Sequence, residues 1–280
     1  MPEYPEMEHY RRLLAERIAG QPITKVDVTR PKSINVPVET FERELLGRTV
    51  WFVERRGKML LFHLDNGKRL LLHLMLGGLI RYESHTLLTP EGLPPERPDR
   101  SVQVTLGFPA GDLCFIGLRL GYLHLLTVKE TLARLADLGP EPFDPRLTPD
   151  AFKARFKGKR GSFKTAFVDQ HVIAGIGNCY ADEIAFEAQV RPDAKLADIE
   201  PASWERLYGA MHAVLNDAVA KGGYMELPLT EGDTVTGGYN DHCRVYDRGG
   251  EACPRCGSEI VQTELNSRKL FFCPSCQKER

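Results

Sequence analysis

Apolar residues at Met7, Tyr10, Leu13, Leu14 and Ile18 recur at three- and four-residue intervals, and Gly20 follows. That spacing predicts an amphipathic helix over 3–19, closed by the glycine. From residue 23 the period shortens. Apolar runs at 23–29, 49–55, 58–64, 69–75, 78–83, 101–107, 112–116 and 122–126 read as strands, separated by turn signals such as Asp65-Asn66-Gly67 and Pro109-Ala110-Gly111-Asp112. So many short strands predict a two-layer β-sandwich. The stretch 87–100 carries four prolines and is expected to be a surface loop. Gly139-Pro140-Glu141-Pro142-Phe143-Asp144-Pro145 reads as a linker. Beyond it the helical period returns: 203–219 places Trp204, Leu207, Tyr208, Met211, Leu215 and Ala218 on one face, ended by Gly222-Gly223. Residues 224–242, rich in Gly, Thr and Asp, are expected to form a flexible loop. The fold class is therefore α+β. An N-terminal β-sandwich with flanking helices spans 1–136, a linker 137–149, a helical domain 150–244 and a small third unit 245–280.

Composition narrows the picture little. The 280 residues are 27% charged and 42% hydrophobic, which suits a globular chain. No apolar run approaches the roughly 20 residues of a membrane helix, and the N-terminus has no basic region followed by an apolar stretch, so a signal peptide is not expected. Net charge is −1, so only the local distribution of charge bears on nucleic acid. Seven cysteines, an odd number with four clustered at the C-terminus, argue against a disulfide framework and for reduced cytoplasm.

The four clustered cysteines carry the sharpest chemistry. Cys253-x-x-Cys256 and Cys273-x-x-Cys276 have tetrahedral zinc spacing, with Pro254, Gly257 and Pro274 in the turns. Strands between the pairs would form a hairpin, giving a zinc ribbon. A unit this small has too little core to hold itself, so one structural zinc ion supplies folding energy. A redox dithiol pair is the alternative.

Two further stretches hold candidate chemistry. Residues 151–164 carry Lys153, Arg155, Lys157, Lys159, Arg160 and Lys164 without an acidic residue, a pattern suited to phosphates or to a solvated face. Gly175-Ile176-Gly177-Asn178 then leads into a helix that Asn178 is expected to cap, leaving N–H groups for a phosphate. At the other end of the chain, Pro2 is followed by Glu3. A residue as small as Pro2 favours removal of Met1. The secondary amine so freed would be nucleophilic at cellular pH, and its attack on an aldehyde carbon gives an iminium ion. With Met1 attached, Pro2 is an amide and inert.

Together, Pro2-Glu3, Arg56-Gly57-Lys58, Gly175-Ile176-Gly177-Asn178 and the four-cysteine ribbon with Arg268 in its hairpin resemble, in order and over the full chain, the formamidopyrimidine-DNA glycosylase/endonuclease VIII family. The resemblance implies a helix–two-turn–helix element in the helical domain. It also implies a monomeric, bacterial-type, cytoplasmic and nucleoid-associated enzyme of base excision repair, a DNA glycosylase and abasic-site lyase that takes damaged double-stranded DNA and no membrane. It implies that Pro2 attacks C1′, that Glu3 is general acid/base on the sugar and that Glu6 helps orient the site. Lys58 stabilises charge near the scission point, and Asn178 and Arg268 clamp the phosphates flanking an extruded nucleotide. Lys164 and Arg160 are expected to add phosphate contacts.

The void left by an extruded base is filled in the formamidopyrimidine branch by a Met, an Arg and a Phe. Here those positions align with Leu76, Leu118 and Leu120, with Arg119 one residue off. Leu76 and Leu120 can still wedge into a stack, but a cytosine reader is lost, which predicts relaxed choice of opposite base. The tip Asn266-Ser267-Arg268 leans the same way, toward oxidised pyrimidines or abasic sites, with formamidopyrimidine/8-oxoguanine removal as the alternative. A non-catalytic damaged-DNA binder on the same scaffold is the second alternative.

Overall fold

The computed structural model describes residues 1–85 and 101–278, so the proline-rich stretch 87–100 lies outside the described residues. Contacts divide the chain into two compact units. The first comprises Met1–Pro2, Glu6–Ala136 and Met225–Gly237, and the second Glu3–Pro5, Asp137–Tyr224 and Gly238–Arg280.

In the first unit, helix α1 (Tyr4–Ile18) is followed by β1 (Gln21–Pro22), β2 (Lys25–Val28), α2 (Val38–Leu45), β3 (Thr49–Arg56), β4 (Met59–Leu64), β5 (Arg69–His73), β6 (Leu79–Ser84), β7 (Val102–Phe108), β8 (Gly111–Ile116), β9 (Tyr122–Leu126) and α3 (Val128–Leu135). The strands form two antiparallel sheets, in the orders β1-β3-β4-β5-β9 and β2-β7-β8-β6. Val53, Phe62, Leu70 and Leu72 of one sheet and Ile80, Val104, Leu106 and Phe115 of the other bury into one core, the sandwich expected from alternating positions. Phe62 and Phe115 meet edge-on at 6.3 Å. Met7, Tyr10, Leu14 and Ile18 bring α1 into that core. The elements that periodicity did not predict are short: β1 has two residues, and α2 and α3 eight each. Helix α3 starts on a capping box in which Thr127 and Glu130 satisfy each other's backbone.

The second unit holds α4 (Pro149–Ala154), α5 (Phe163–Phe167), α6 (Asn178–Glu187), α7 (Pro201–Ala220) and the hairpin β10 (Val261–Leu265) and β11 (Arg268–Phe272). The cationic stretch 151–164 is not one helix. Helix α4 stops at Ala154, Gly158 and Gly161 take left-handed backbone at φ +79° and +95°, and Ser162 caps α5. In α7, Trp204, Leu207, Met211, Leu215 and Ala218 face the core as the pattern required. The ribbon's own core is small: Val245, Ile260 and Phe271 pack around Phe186, which α6 contributes.

The expected flexible loop 224–242 is instead built into structure. Its central part, Met225–Gly237, belongs to the first unit, where Leu229 is fully buried.

Candidate active site and nucleic-acid interface

Pro2 is buried and precedes Glu3 by one peptide bond. The Glu3 carboxylate lies at the N-terminus of α6, where Oε2 accepts from Gly177 N at 2.7 Å and Oε1 from Cys179 N at 3.0 Å. Tyr4 N donates to Gly175 O at 2.9 Å. Gly175 adopts φ +93°, and a Cβ there would sit 3.0 Å from that of Tyr4, so the tight approach requires glycine. Gln170 braces the same turn. Its Nε2 donates to Val168 O at 2.9 Å and Ile176 O at 2.8 Å, and its Oε1 accepts from Gly175 N at 2.9 Å.

This arrangement corrects two expectations. Asn178 does not cap α6, because Gly177 holds the cap position and Asn178 is the first helical residue. Nor are the amides of Gly177 and Cys179 open to a phosphate, because the Glu3 carboxylate takes both, a placement favourable at the positive end of a helix. Asn178 is half-buried, and its Oδ1 has no hydrogen-bond partner among the described residues.

In the first unit, Glu6 is fully buried in the first turn of α1. Together with burial, the larger cause, it raises the Tyr10 phenol above its usual value. Lys58 is also buried, in the turn between β3 and β4, where Gly57 takes φ +56°. Burial first, and the Lys58 ammonium second, push the neighbouring His73 imidazole down to about 4, so it stays neutral near pH 7. Arg55 ties β3 to α1 through Glu8, with Nε 3.2 Å from Oε2.

The loops at 74–78 and 118–121 pack against each other. A Cβ on Gly78 would meet Leu74 O at 2.4 Å, and one on Gly121 would meet His73 O at 2.5 Å, with Leu118 Cδ2 at 3.1 Å from each. Leu76 and Leu120 project from these loops, 65% and 61% exposed, and Arg119 is exposed beside Leu120. Leu118 points inward, 1% exposed, as part of the core.

Lys164 requires a correction. It is not a solvated cation: its Nζ lies 2.7 Å from Asp182 Oδ2 and 2.6 Å from Lys269 O, with side chains 2% and 0% exposed. The same Asp182 oxygen accepts from Phe271 N at 3.1 Å. A buried ammonium needs a charged partner to hold it, and here the pair fastens β11 to α6. Burial pushes the Asp182 carboxyl up to about 7 despite Lys164. Arg160 is exposed on the turn before α5, and Arg268 is exposed at the start of β11. Asn266 and Ser267, at φ +52° and +60°, form the two-residue hairpin turn that presents Arg268. Lys164 and Arg268 line one cavity of about 330 Å³ with Thr165, Val168, Asp169, Leu265 and Asn266. Arg160 is not part of that lining.

The four ribbon cysteines converge, with all ligand sulfurs within 4.8 Å of one another. Cys253 Sγ lies 3.9 Å from Cys276 Sγ, and Cys256 Sγ 3.5 Å from Cys273 Sγ. Tetrahedral zinc with bonds of about 2.3 Å separates its sulfurs by about 3.8 Å. Backbone N–H groups of Arg255 and Cys276 point at Cys253 and Cys273 Sγ, both at 3.4 Å, which supports thiolate charge. The donor set fits one structural zinc.

Sequence reading missed Asp182, Glu183 and Gln170. Glu183 is fully buried and accepts from the backbone N–H groups of Arg244, Val245 and Tyr246. The available signal was two adjacent carboxylates inside an otherwise apolar helix.

Three family descriptions match the chain: "Formamidopyrimidine-DNA glycosylase N-terminal domain" over residues 1–123, "Formamidopyrimidine-DNA glycosylase H2TH domain" over 138–227, and "Zinc finger found in FPG and IleRS" over 250–278. A formamidopyrimidine-DNA glycosylase of Symbiobacterium thermophilum is 37% identical over 283 residues, covering 99% of this chain and 89% of that protein. A Lactococcus lactis Fpg variant in complex with Fapy-dG DNA superposes with TM-score 0.87 at 29% identity, covering 99% of this chain and 100% of the other. The wild-type Lactococcus lactis Fpg with DNA containing an oxidised pyrimidine gives the same TM-score, identity and coverage. No helix among the described residues is long and apolar enough to cross a membrane. With fold, ribbon and ordered motifs in agreement, the chain belongs to the formamidopyrimidine-DNA glycosylase family of base excision repair enzymes.

Proposed function

We propose that this chain, once Met1 is removed, excises oxidised bases from duplex DNA and then cuts the strand through a covalent Pro2 intermediate. The observation that carries this reading is the lock on Glu3. The amides of Gly177 and Cys179, at the start of α6, hold its carboxylate one peptide bond from Pro2.

In the reaction, the Pro2 nitrogen bonds to C1′ of the damaged nucleotide, the N-glycosidic bond breaks, and the base leaves with a proton. Glu3 relays protons on the sugar, and Glu6 helps orient the site. The C1′–O4′ bond then breaks as O4′ takes a proton, opening the sugar to an iminium that acidifies C2′–H. Loss of that proton breaks the C3′–O bond, and a second elimination breaks C5′–O. Lys58 stabilises charge at the phosphate, while Asn178, Arg160 and Arg268 bind the backbone of the damaged strand and Lys164 sets the position of β11. Leu76 and Leu120 wedge into the gap left by the extruded nucleotide, with Arg119 beside them. Bound zinc stabilises the ribbon that carries Arg268.

The inward-pointing Leu118 supports relaxed choice of opposite base, because an apolar core side chain offers no hydrogen bond to an orphaned base. We infer a preference for oxidised pyrimidines and abasic sites, for which a Lactococcus lactis relative captured with oxidised-pyrimidine DNA is a precedent. One protein per lesion suffices, so the working unit is a monomer, acting in the cytoplasm on nucleoid DNA.

The test is borohydride trapping with Met1-free protein on abasic DNA, followed by cleavage of 8-oxoguanine, formamidopyrimidine, thymine glycol and 5-hydroxyuracil duplexes against each opposite base. A trapped adduct lost in Pro2→Gly is expected. Intact abasic DNA with no adduct, despite tight binding, would instead identify a non-catalytic damage binder.

A further inference from the structure

Residues 225–237 form a strap. The chain leaves the second unit after Tyr224, belongs to the first unit for thirteen residues, and rejoins the second at Gly238. Gly222 and Gly223, at φ +70° and +76°, precede it. At its far end Gly237 takes φ +87°, and a Cβ there would lie 2.8 Å from Glu226 Cγ, so the two ends of the strap meet.

Several contacts hold the strap to the first unit. Leu229 is fully buried in the sandwich core. Its carbonyl accepts from Tyr82 N at 2.6 Å, and the Tyr10 hydroxyl donates to Leu227 O at 2.7 Å. Arg17 Nη2 reaches Thr230 Oγ1 at 3.3 Å. Asp233 organises the tip, where Oδ1 accepts from Val235 N at 3.0 Å and Thr236 N at 3.1 Å, and Oδ2 accepts from Thr236 Oγ1 at 2.5 Å.

Opposite that carboxylate stands His9 of α1, with Nε2 3.7 Å from Asp233 Oδ2, too long for a hydrogen bond. His9 Nε2 is buried without a hydrogen-bond partner among the described residues. Among the described residues, the charges of Arg12 and Glu16 of α1 also act on the ring.

We propose that the strap is an acid-released clasp, in which Leu229 is the plug and the packing of neutral His9 against Asp233 is the catch. Burial pushes the His9 imidazole below its usual value, and the Asp233 charge only partly offsets this. An undocked strap returns His9 to water, where it holds its proton more tightly. Docking is therefore at full strength above about pH 6.5 and weakens as pH falls through that value. Burial also pushes the Asp233 carboxyl up, but bonds from Thr236 and Val235 outweigh it and hold the group below its ordinary value. Asp233 stays ionised throughout this window, so His9 alone titrates.

The experiment is hydrogen exchange on the full-length, zinc-bound protein at pH 7.5, 6.5 and 5.5, corrected for intrinsic rates, with β4 amides as internal reference. Strap protection is expected to fall roughly threefold or more across this range while β4 holds. His9→Phe, which fills the niche with a ring that cannot titrate, is expected to flatten the pH dependence. His9→Gln serves the same purpose if the Phe variant does not fold. Constant strap protection relative to β4, or an equal fall in the His9 variants, overturns the clasp.

Discussion

The β-sandwich and the zinc ribbon hold themselves together by opposite means. In the sandwich, side chains from two sheets and two helices share one apolar core, so stability is spread over many residues. The ribbon has a few apolar side chains, one of them lent by α6, and relies on four thiolates and on carboxylates that reach it from the same helix. A distributed core tolerates the loss of any one member. A pinned element fails at its pins. The same cationic residue type therefore has different uses in the second unit, since Lys164 is consumed as a pin while Arg268 is left free on the surface.

Metal removal separates the two regions most sharply. A chelator, or Cys273→Ser, is expected to abolish exchange protection over 250–278 while β3–β5 stay protected, because structural zinc in small fingers contributes roughly 10–16 kcal/mol. The buried pins come next. Asp182→Asn or Lys164→Met alone is expected to cost about 3–5 kcal/mol in urea unfolding, and the paired apolar replacement should recover much of it. Within the sandwich, Leu118→Ala is expected to cost about 2–5 kcal/mol. Leu120→Ala, two residues on, should stay within about 0.5 kcal/mol by calorimetry while lowering cleavage of lesion DNA. The smallest stability effect belongs to Arg268→Ala. Its melting temperature should be unchanged, and the salt slope of DNA binding should fall by about one.

These contrasts mark what the sequence could reveal. The strands, α1, α7 and the ribbon were legible because each announces itself within a short window, through alternation, a 3.6-residue period or cysteine spacing. The pairing of Lys164 with Asp182 was not, because Lys164 reads like Arg160, and only a partner 18 residues away shows which of them turns inward. The capping of α6 was harder still, since the residue that performs it lies 174 positions earlier. The strap was hidden by composition. Gly, Thr and Asp suggest a loop, and one Leu in the right place turns it into core.

The anchoring of Glu3 and Tyr4 to the turn before α6 has a practical corollary for anyone preparing this protein. Those bonds involve nothing upstream of residue 3. A purification tag fused ahead of Pro2 would leave them intact while converting the proposed Pro2 nucleophile into an ordinary amide. The product should fold, load metal and hold damaged duplexes without turning them over, and so act as a ready-made trap for its own substrates.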